Sequence, residues 1–495
     1  MLLGIDVGSS AVKAALVDPE AGALTSAQAE VELFSPQPGW AEADPGAWWE
    51  ATCAVIPLAL EQAGRRADEV QAVACSGMVP AVLMLDQRGR PLRRAILQND
   101  ARATVELNDL AERLADIDLL GLTGSALTQQ SVAPTLRWLR RHEPDLFAAT
   151  ASVSGSYDWL ARRLGAAAHL ERNWAIESGL YGLDGEPLPE VAQRSEIDAA
   201  LLAPVKTPGT VVGEVDSAAG TATGLRPGTP IVVGGADHVS SAYGAGLLVQ
   251  GDWLVKLGGA GDILAVSDIP LVDERLYLDA HPAGGWLPNG CMATSGSLVR
   301  WLARVTGGGG RDRLSMLDAE AAVTPPGAGG VVCLPYFLGE KSPLHDPAQR
   351  GAFVGLHLGH GRGHLYRAAL EAVAYGFRHH VEVFRERGLA LTDARVTNGG
   401  SQSTLWKQIL ADVLNVELRP VLDHPGASFG AALAAGVGAG GTEGWDVVQR
   451  LVRMGDPIEP RSQLKTRYDE LYGIYRELEP ALRPLSHRLA AGTWA

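Results

Sequence analysis

Apolar and polar positions alternate along this chain in a pattern that predicts repeated strands and helices. Residues 1–22, MLLGIDVGSSAVKAALVDPEAG, indicate an apolar strand, a Gly/Ser turn and a second apolar strand. Residues 252–268, DWLVKLGGAGDILAVSD, have the same outline: an apolar run, a glycine-rich turn and an apolar run ending on aspartate. Short apolar runs around a glycine turn are typical of hairpins. Two hairpins of one design, far apart in the chain, predict a duplicated architecture.

Helical periodicity appears between and after these strands. Apolar residues recur at helical spacing in 103–117, 133–147 and 363–388, and the last of these segments ends on a glycine. Residues 71–92 indicate two strands, and residues 394–415 a strand, a Gly-Gly turn and a helix. Because strands and helices alternate in both halves, the sequence predicts the α/β class.

The chain length predicts more than one domain. A chain of 495 residues is too long for a single ordinary core. We expect two domains, 1–245 and 246–495, divided where GAGLLVQGD leads into the second hairpin. Two facing glycine hairpins would make a cleft between the domains, which is a common place for a ligand.

Composition and charge narrow the functional classes. Hydrophobic residues make up 46% and charged residues 20% of the chain, which is typical of a globular protein. The net charge of −15 argues against nucleic-acid binding. No apolar run approaches the ~20 residues of a membrane helix, and the N-terminus lacks a basic signal region. Four scattered cysteines without a CxxC pair favour a reducing compartment, so we expect a cytoplasmic protein with no membrane partner.

The first turn carries candidate phosphate chemistry. A strand delivers Asp6 into a turn containing Gly8, Ser9 and Ser10, and Lys13 lies on the returning strand. Glycine lets backbone N–H groups approach a phosphate, and serine hydroxyls add donors. A carboxylate before such a turn suits Mg²⁺, which prefers oxygen ligands. An ordinary hairpin turn explains the same residues, and the pattern is neither a Walker A loop nor a GxGxxG motif.

Three further glycine-rich segments are candidates for nucleotide contact. The second hairpin turn spans 258–261, Gly399 and Gly400 precede a helix, and small residues open a helix within 424–436. Bare backbone at such positions can face a phosphate or a flat ring. Plain turns and helix packing are the alternatives for all three segments.

The segment IVVGGADHVSS, residues 231–241, ends an apolar strand on two glycines and an aspartate. An ordinary strand exit explains this pattern. The alternative is that Gly234 and Gly235, which have no side chains, let a ligand approach the backbone and contact Asp237.

These motifs resemble the FGGY carbohydrate kinase family, within the actin/hexokinase/Hsp70 fold superfamily. The resemblance spans nearly the whole chain, and the matching elements stand in the family's order. They are GIDVGSSAVKAALVD, CSGMVPAVLMLD, ILQNDARA, IVVGGADHVSSAYGAG, KLGGAGDIL, PYFLGEKSPLHDPAQRGAFVGL, LYRAALEAVAYGF, NGGSQSTLWKQILADVLN and GASFGAALAAG.

The resemblance implies an α/β, two-domain, actin/hexokinase/Hsp70-like (ribonuclease H-like) duplicated fold with an interdomain cleft. It implies transfer of the γ-phosphoryl group of ATP to a sugar hydroxyl, with Mg²⁺. Asp237 matches the family's general base, and Asp6 would help to organise the metal. Both aspartates are therefore expected to be catalytic residues and metal ligands.

The resemblance also implies roles for the remaining candidates. The residues expected to bind ATP or its phosphates are Gly8, Ser9, Ser10, Lys13, Gly258, Gly259, Ala260, Gly261, Gly399, Gly400, Gln402 and Ser428. The residues expected to bind the sugar are Met78, Val79, Asn99, Asp100, Arg102, Asp237 and His238. For Asp100 and Arg102, a surface ion pair is the alternative interpretation.

Three departures from the family pattern bear on the substrate. Xylulokinases usually carry Gln-Met-His where this chain has Met78-Val79-Pro80, and often asparagine where it has His238. The second turn usually contains Thr or Ser, whereas here it is Gly-Gly-Ala. The first two put the identity of the sugar in doubt, and the third puts the strength of phosphate binding in doubt.

Several alternatives stay open at this point. D-xylulose or another pentulose is the first expected substrate, and ribulose, glycerol, erythritol and gluconate are the others. A non-catalytic nucleotide-binding regulator on the same fold is a different class of function. A dinucleotide-dependent dehydrogenase would need a GxGxxG turn before a helix, but the first turn here leads into a strand. A homodimer is the default assembly.

Overall fold

The computed structural model describes residues 1–307 and 311–492. In the first half the strands are β1 (Leu2–Val7), β2 (Ala11–Asp18), β3 (Gly22–Glu30), β4 (Leu33–Phe34), β5 (Glu42–Ala43), β6 (Ala72–Gly77), β7 (Leu83–Leu85), β8 (Ala95–Ile96), β9 (Ser152–Ser154), β10 (Leu170–Glu171), β11 (Val205–Lys206), β12 (Val211–Glu214) and β13 (Pro230–Ala236). The helices are α1 (Pro45–Gln62), α2 (Thr104–Arg113), α3 (Leu119–Thr123), α4 (Val132–His142), α5 (Pro144–Ala149), α6 (Ser156–Leu164), α7 (Arg172–Glu177), α8 (Pro189–Arg194), α9 (Ser217–Thr223) and α10 (Asp237–Gly244).

In the second half the strands are β14 (Asp252–Leu257), β15 (Gly261–Ala265), β16 (Tyr277–Ala280), β17 (Trp286–Met292), β18 (Val332–Leu334), β19 (Ala352–Val354), β20 (Asp393–Thr397), β21 (Leu418–Leu422) and β22 (Arg453–Met454). The helices are α11 (Gly296–Val305), α12 (Arg311–Val323), α13 (Arg362–Glu386), α14 (Thr404–Leu414), α15 (Ala427–Gly438), α16 (Val447–Leu451) and α17 (Lys465–Ala491). In the part of the chain that the structure describes, no helix is long and apolar enough to cross a membrane.

Two large sheets repeat one pattern of strand directions. The first has the order β12-β13-β6-β1-β2-β3, and the second has the order β22-β21-β20-β14-β15-β17-β16. In each, the three strands after the first are parallel to one another, and the strands before and after them pair antiparallel. One buried apolar cluster draws mainly on the first half, and another draws on the second. The predicted duplicated α/β fold is therefore confirmed.

Both predicted hairpins form, and each pairs a carboxylate with a lysine. β1 pairs antiparallel with β2, with Asp6 opposite Lys13. β14 pairs antiparallel with β15, with Lys256 opposite Asp262. In the first hairpin the aspartate lies on the first strand and the lysine on the second. In the second hairpin the two residue types are reversed, a symmetry that the duplication makes possible.

The predicted helices form, with one interruption. The segment 363–388 becomes α13, and Gly388 after it has a φ of +81°, the left-handed conformation that ends many helices. The segment 133–147 is divided, because α4 ends at His142 and α5 begins at Pro144. A proline ring cannot continue the hydrogen-bonding of the preceding turn, so the break falls there.

Helix α15 packs against the sheet of the first half and against α10. A Cβ on Gly4 of β1 would lie 1.8 Å from the carbonyl oxygen of Ser428, and a Cβ on Gly430 would lie 1.9 Å from that of Ser240. Both distances are far shorter than any allowed contact with backbone. The chain therefore needs glycine at both positions for α15 to reach β1 and α10.

We predict that Gly430→Ala lowers the free energy of unfolding by about 3 kcal/mol, because overpacking forces backbone apart. Gly473→Ala is the matched control, since Gly473 is exposed in α17 and a Cβ there meets nothing within 4 Å among the described residues. The control should be stabilised by about 0.5–1 kcal/mol. Urea unfolding followed by circular dichroism measures both, and equal stability of the two variants would contradict the close packing.

Candidate active site

A cavity of about 230 Å³ lies between the two halves of the chain. The first half contributes the segments after β6 and β8, the segment before α4, the end of α7 and the start of α10. The second half contributes β14 to β17 and the loop after β18. Its lining residues are Val79, Gln98, Gln130, Glu177, Asp237, His238, Lys256, Ala260, Asp262, Leu264, Tyr277, Asp279, Asn289, Cys291 and Lys341.

Asp237 enters this cavity at the end of β13, as the first residue of α10. The pairing of β13 with β6 shifts register between Val233 and Gly235, which leaves Gly234 in a β-bulge. A Cβ on Gly234 would lie 2.1 Å from the carbonyl oxygen of Cys75. Gly234 is therefore needed for β13 to pack against β6. We expected this glycine to let a ligand approach the end of the strand, and the structure shows this packing role instead. Bulges of this kind redirect the side chains that follow them.

Asp237, His238 and Asp279 form a continuous polar chain. Nε2 of His238 lies 2.7 Å from Oδ2 of Asp279, and Nδ1 of His238 lies 3.4 Å from Oδ1 of Asp237. The backbone N–H of His238 also donates to Oδ1 of Asp237 at 2.6 Å. The imidazole therefore has a carboxylate at each ring nitrogen, and one of these carboxylates is the candidate base.

This arrangement sets the charges of the chain. Burial lowers the pKa of His238, but the negative charge of Asp279 and the hydrogen bonds to both carboxylates outweigh it and hold the pKa well above the ordinary value. Burial raises the pKa of Asp237, but the hydrogen bonds and charge of His238, with the charge of Lys256, bring it below the ordinary value. Asp237 is therefore ionised and His238 is an imidazolium at neutral pH.

One atom each from Glu177, His238 and Asp279 lies within 4.8 Å of the other two, a spacing that a metal ion could use. An imidazolium has no free lone pair, so His238 in this charge state cannot be a metal ligand. Burial and the charge of Asp279 also raise the pKa of Glu177 well above its ordinary value. The cluster is better described as a network of polar side chains that faces the cavity.

Asp6 lies at the end of β1 beside this site. Its Oδ1 is buried and has no hydrogen-bond partner among the described residues. Burial and the charge of Asp237 raise the pKa of Asp6 to about 7, while Lys13 and Lys256 oppose them. Asp6 is thus a strained carboxylate that a cation would stabilise.

The two hairpin turns differ in how they face the cavity. Ala260 of the second turn lines the cavity, together with Lys256 and Asp262, whose charged groups lie 3.5 Å apart. Ser9 and Ser10 of the first turn are exposed. The carbonyl oxygens of the second turn accept hydrogen bonds from the first amides of α11, which fixes the turn in place.

A second cavity, of about 520 Å³, lies between β3 and the loops after β20 and β21. Gly399 and Gln402, which the resemblance predicts at the adenosine end, are among the residues that line it. Gly400 instead packs inward, where a Cβ would lie 2.6 Å from Leu257 and from Trp406. Ser428 is buried in α15, and its hydroxyl donates to the carbonyl of Pro425 at 3.4 Å. Neither Gly400 nor Ser428 is among the residues that line the cavity.

Some of the residues predicted to bind the sugar line the cavity beside Asp237, and others lie outside it. Val79 and His238 line the smaller cavity beside Asp237. Met78 is buried beneath it, and Asn99 is exposed outside it. Its neighbour Gln98 is one of the amides that do line the cavity, and the prediction missed it by one position.

Asp100 and Arg102 form a buried ion cluster away from the cavity. Arg102 binds both oxygens of Asp100 at 2.7–2.8 Å and also binds Glu42 at 2.8 Å. Oδ2 of Asp100 accepts a further hydrogen bond from the amide of Ala41 at 2.6 Å. Apart from Nη1 of Arg102, which has no hydrogen-bond partner among the described residues, the polar side-chain atoms of this pair are used within the protein. They form neither a surface ion pair nor part of the cavity wall.

Several cavity residues had no sequence-based prediction. Lys256 carried one usable signal, because a lysine in an apolar strand stands where the first hairpin has Asp6. Glu177 and Asp279 lie in segments without a glycine turn or a recognisable spacing. Only the fold brings these two carboxyl groups together.

Comparison with known families agrees with this geometry. Residues 1–244 match the N-terminal domain of the FGGY family of carbohydrate kinases, and residues 263–439 match its C-terminal domain. The chain belongs to the FGGY family of carbohydrate kinases. It is therefore a phosphotransferase with an alcohol group as acceptor, and the alternative of a non-catalytic regulator is not needed.

Members of the FGGY family resemble this chain over its full length. A xylulose kinase from Rhodospirillum rubrum is 41% identical, with a TM-score of 0.90 over 98% of this chain and 99% of the other. The L-xylulose/3-keto-L-gulonate kinase of Escherichia coli is 31% identical over 99% of each chain. The xylulose kinase of Escherichia coli is 30% identical over 98% of this chain and 100% of the other.

We predict that Asp6→Asn stabilises the ligand-free kinase. The pKa of about 7 in the folded protein lies above the ordinary value of 3.8, so ionised Asp6 destabilises the fold above pH 7, and this penalty disappears as the pH falls toward 3.8. The gain should be about 2 kcal/mol or more at pH 8 and should fall by about half or more at pH 5. Urea unfolding with a chelator present measures it.

The control for this prediction is Asp456→Asn, because Asp456 is exposed. Its effect should stay within about 0.5 kcal/mol at both pH values. A gain for Asp6→Asn that is absent at pH 8, or the same at pH 5 and pH 8, would show that Asp6 is not strained.

Proposed function

We propose that this FGGY kinase transfers the γ-phosphoryl group of ATP to a hydroxyl of a pentulose, with D-xylulose the first substrate to test. The observation that carries the proposal is the ionised Asp237 after the end of β13, in a cavity that the second hairpin turn also lines. The larger cavity beside Gly399 and Gln402 has room for an adenosine. The names of the xylulose kinases that match the whole chain support the choice of sugar.

Asp237 would act as the general base. An ionised carboxylate is a weak base, but in phosphoryl transfer the acceptor hydroxyl gives up its proton late, as charge builds on its oxygen. His238 holds Oδ1 of Asp237 through its backbone N–H at 2.6 Å. This bond orients the carboxylate, so that its other oxygen faces the substrate hydroxyl.

The two turns would hold the phosphates of ATP. Backbone N–H groups of Gly8, Ser9 and Ser10 and of residues 258–261 are suited to phosphate oxygens. The missing hydroxyl at Ala260 removes one donor and leaves the backbone donors in place. Lys13 and Lys256 add positive charge near the same turns, which would oppose the charge that develops during transfer.

Asp6 and Asp237 would hold Mg²⁺. The buried, unpartnered Oδ1 of Asp6 fits this ion, because Mg²⁺ prefers hard oxygen ligands. When bound, the ion would neutralise phosphate charge and help to orient the γ-phosphoryl group.

We predict that Asp237→Asn lowers kcat/KM by about 100-fold to 10,000-fold, because the amide cannot accept the hydroxyl proton. A coupled assay of ADP formation with D-xylulose, L-xylulose, D-ribulose, glycerol, erythritol and D-gluconate measures turnover. The test begins with the wild type, which should turn over a pentulose best.

Asp456→Asn is the matched control and should retain wild-type kinetics, since Asp456 is exposed and outside both cavities. Near-full turnover by Asp237→Asn would refute the base assignment. A wild type that binds ATP but phosphorylates none of the six compounds would refute the proposed substrate class.

Arg300 is a further candidate for phosphate binding. It extends from α11 to the second turn, where its Nη2 lies 3.1 Å from the position of a Cβ on Gly259. Its guanidinium could supply the donor that Ala260 lacks.

We therefore predict that Arg300→Ala raises KM for ATP about tenfold and changes KM for the sugar little. Arg304→Ala is the control, because Arg304 lies one turn further along α11 and is exposed. Steady-state kinetics with varied ATP and saturating sugar distinguish the two variants. Equal KM values for ATP in both would remove Arg300 from the site.

A further inference from the structure

Three oxygen atoms in the wall of the cavity beside Asp237 have no hydrogen-bond partner within residues 1–307 and 311–492. They are Oε1 of Gln98, Oε1 of Glu177 and Oδ1 of Asp279, and each atom is buried. A buried acceptor without a donor destabilises a protein, and native structures keep few of them. Three in one cavity indicate that a ligand supplies the missing donors.

Asp279 is the most firmly held of the three. Its Oδ2 accepts hydrogen bonds from Nε2 of His238 and Nδ2 of Asn289, both at 2.7 Å. Its side chain is only 1% exposed. These bonds fix the carboxylate, so its Oδ1 remains an acceptor of fixed position.

Glu177 and Asp279 come from different halves of the chain, and Asn173 holds their elements together. Asn173 of α7 accepts from the backbone N–H of Ala280 at 2.7 Å and donates to its carbonyl at 3.1 Å. This pair of bonds lies one residue from Asp279 and one helical turn from Glu177. The spacing of the two carboxyl groups is therefore set before any substrate binds.

We propose that Gln98, Glu177 and Asp279, here called the acceptor cluster, bind substrate hydroxyls and select an uncharged ketose or polyol over a sugar acid. The inference deepens the proposed function and rests on it. Each hydroxyl of such a substrate can donate one hydrogen bond to an oxygen of the cluster. A site built around substrate hydroxyls discriminates strongly against compounds that leave its polar groups unpaired.

A sugar acid fits the cluster poorly. Its carboxylate can only accept hydrogen bonds, and it would lie close to the negative charge of Asp279. Two lysines also line the cavity, and they are the groups that could attract a carboxylate. Lys256 is paired with Asp262 at 3.5 Å, and the imidazolium of His238 is paired with Asp237 and Asp279, which leaves Lys341 as the competing cation among the cavity residues.

The first test compares substrates in the wild-type protein. We expect kcat/KM for the best of D-xylulose, L-xylulose and D-ribulose to exceed that for D-gluconate by about 100-fold or more. The melting temperature tests binding without catalysis. The same ketose should raise it, and D-gluconate at equal concentration should leave it unchanged.

The second test uses two variants of the acceptor cluster. Gln98→Met keeps the length of the side chain, removes its oxygen and should raise KM for the ketose about tenfold. Gln193→Met, the same change at an exposed position in α8, should leave KM unchanged. Asp279→Asn removes the negative charge of the cluster and offers an amide donor to a carboxylate, and it should reduce the preference for ketose over D-gluconate about tenfold.

The outcomes separate this inference from the proposed function. If D-gluconate is phosphorylated as well as the ketose, and Lys341→Met abolishes only that activity, the inference is overturned while the kinase function stands. If the wild type phosphorylates no compound in the panel, the proposed function is overturned and the inference with it. If a variant does not fold, the melting temperatures of the wild type still decide between ketose and sugar acid.

Discussion

The close approach of helix α15 to β1 and α10 is the constraint on which the rest of the site depends. Glycines at positions 4 and 430 let backbone meet backbone there, at distances that no side chain would allow. Asp6 lies one residue before the end of β1, and α10 begins with Asp237. One helix from the second half of the chain therefore braces both of the elements that carry the aspartates. A disturbance of this packing would therefore displace both aspartates.

The site holds buried ionisable groups close together, an arrangement that destabilises the folded protein when no ligand is bound. Asp6 is buried with an unpartnered oxygen, and this burial, together with the charge of Asp237, raises its pKa to about 7. The imidazolium of His238 lies between Asp237 and Asp279, which keeps the candidate base ionised and oriented. Strain of this kind persists at functional sites because ligand binding relieves it. In this kinase, Mg²⁺ and phosphate would relieve the strain near Asp6. Substrate hydroxyls would relieve it at the acceptor cluster.

Much of this arrangement could be predicted from the sequence, and the failures have physical causes. Both hairpins, the long helix α13 and the position of Asp237 followed from local patterns of apolar residues and glycine. Asp100 and Arg102 were expected near the sugar, but Glu42 and the amide of Ala41 bind them in a cluster of their own. Gly400 was expected to face the nucleotide, but it packs against Leu257 and Trp406. Local sequence shows which residues can make a contact, whereas distant neighbours decide which contact is made.

The sequence by itself determined the α/β class, the duplicated hairpins, the membership of a kinase family and the candidate base. The fold class and the hairpins follow from periodicity and turn chemistry, which act over a few residues, whereas the family and the base follow from the order of motifs along the chain. Only the tertiary structure decided which polar groups surround the base, because Gln98, Glu177, His238 and Asp279 lie far apart in the chain. The two sheets and the hydrogen bonds of Asn173 bring these residues together. The sequence pattern of each segment does not indicate which distant residues it will contact. The identity of the substrate is therefore a property of the assembled cavity.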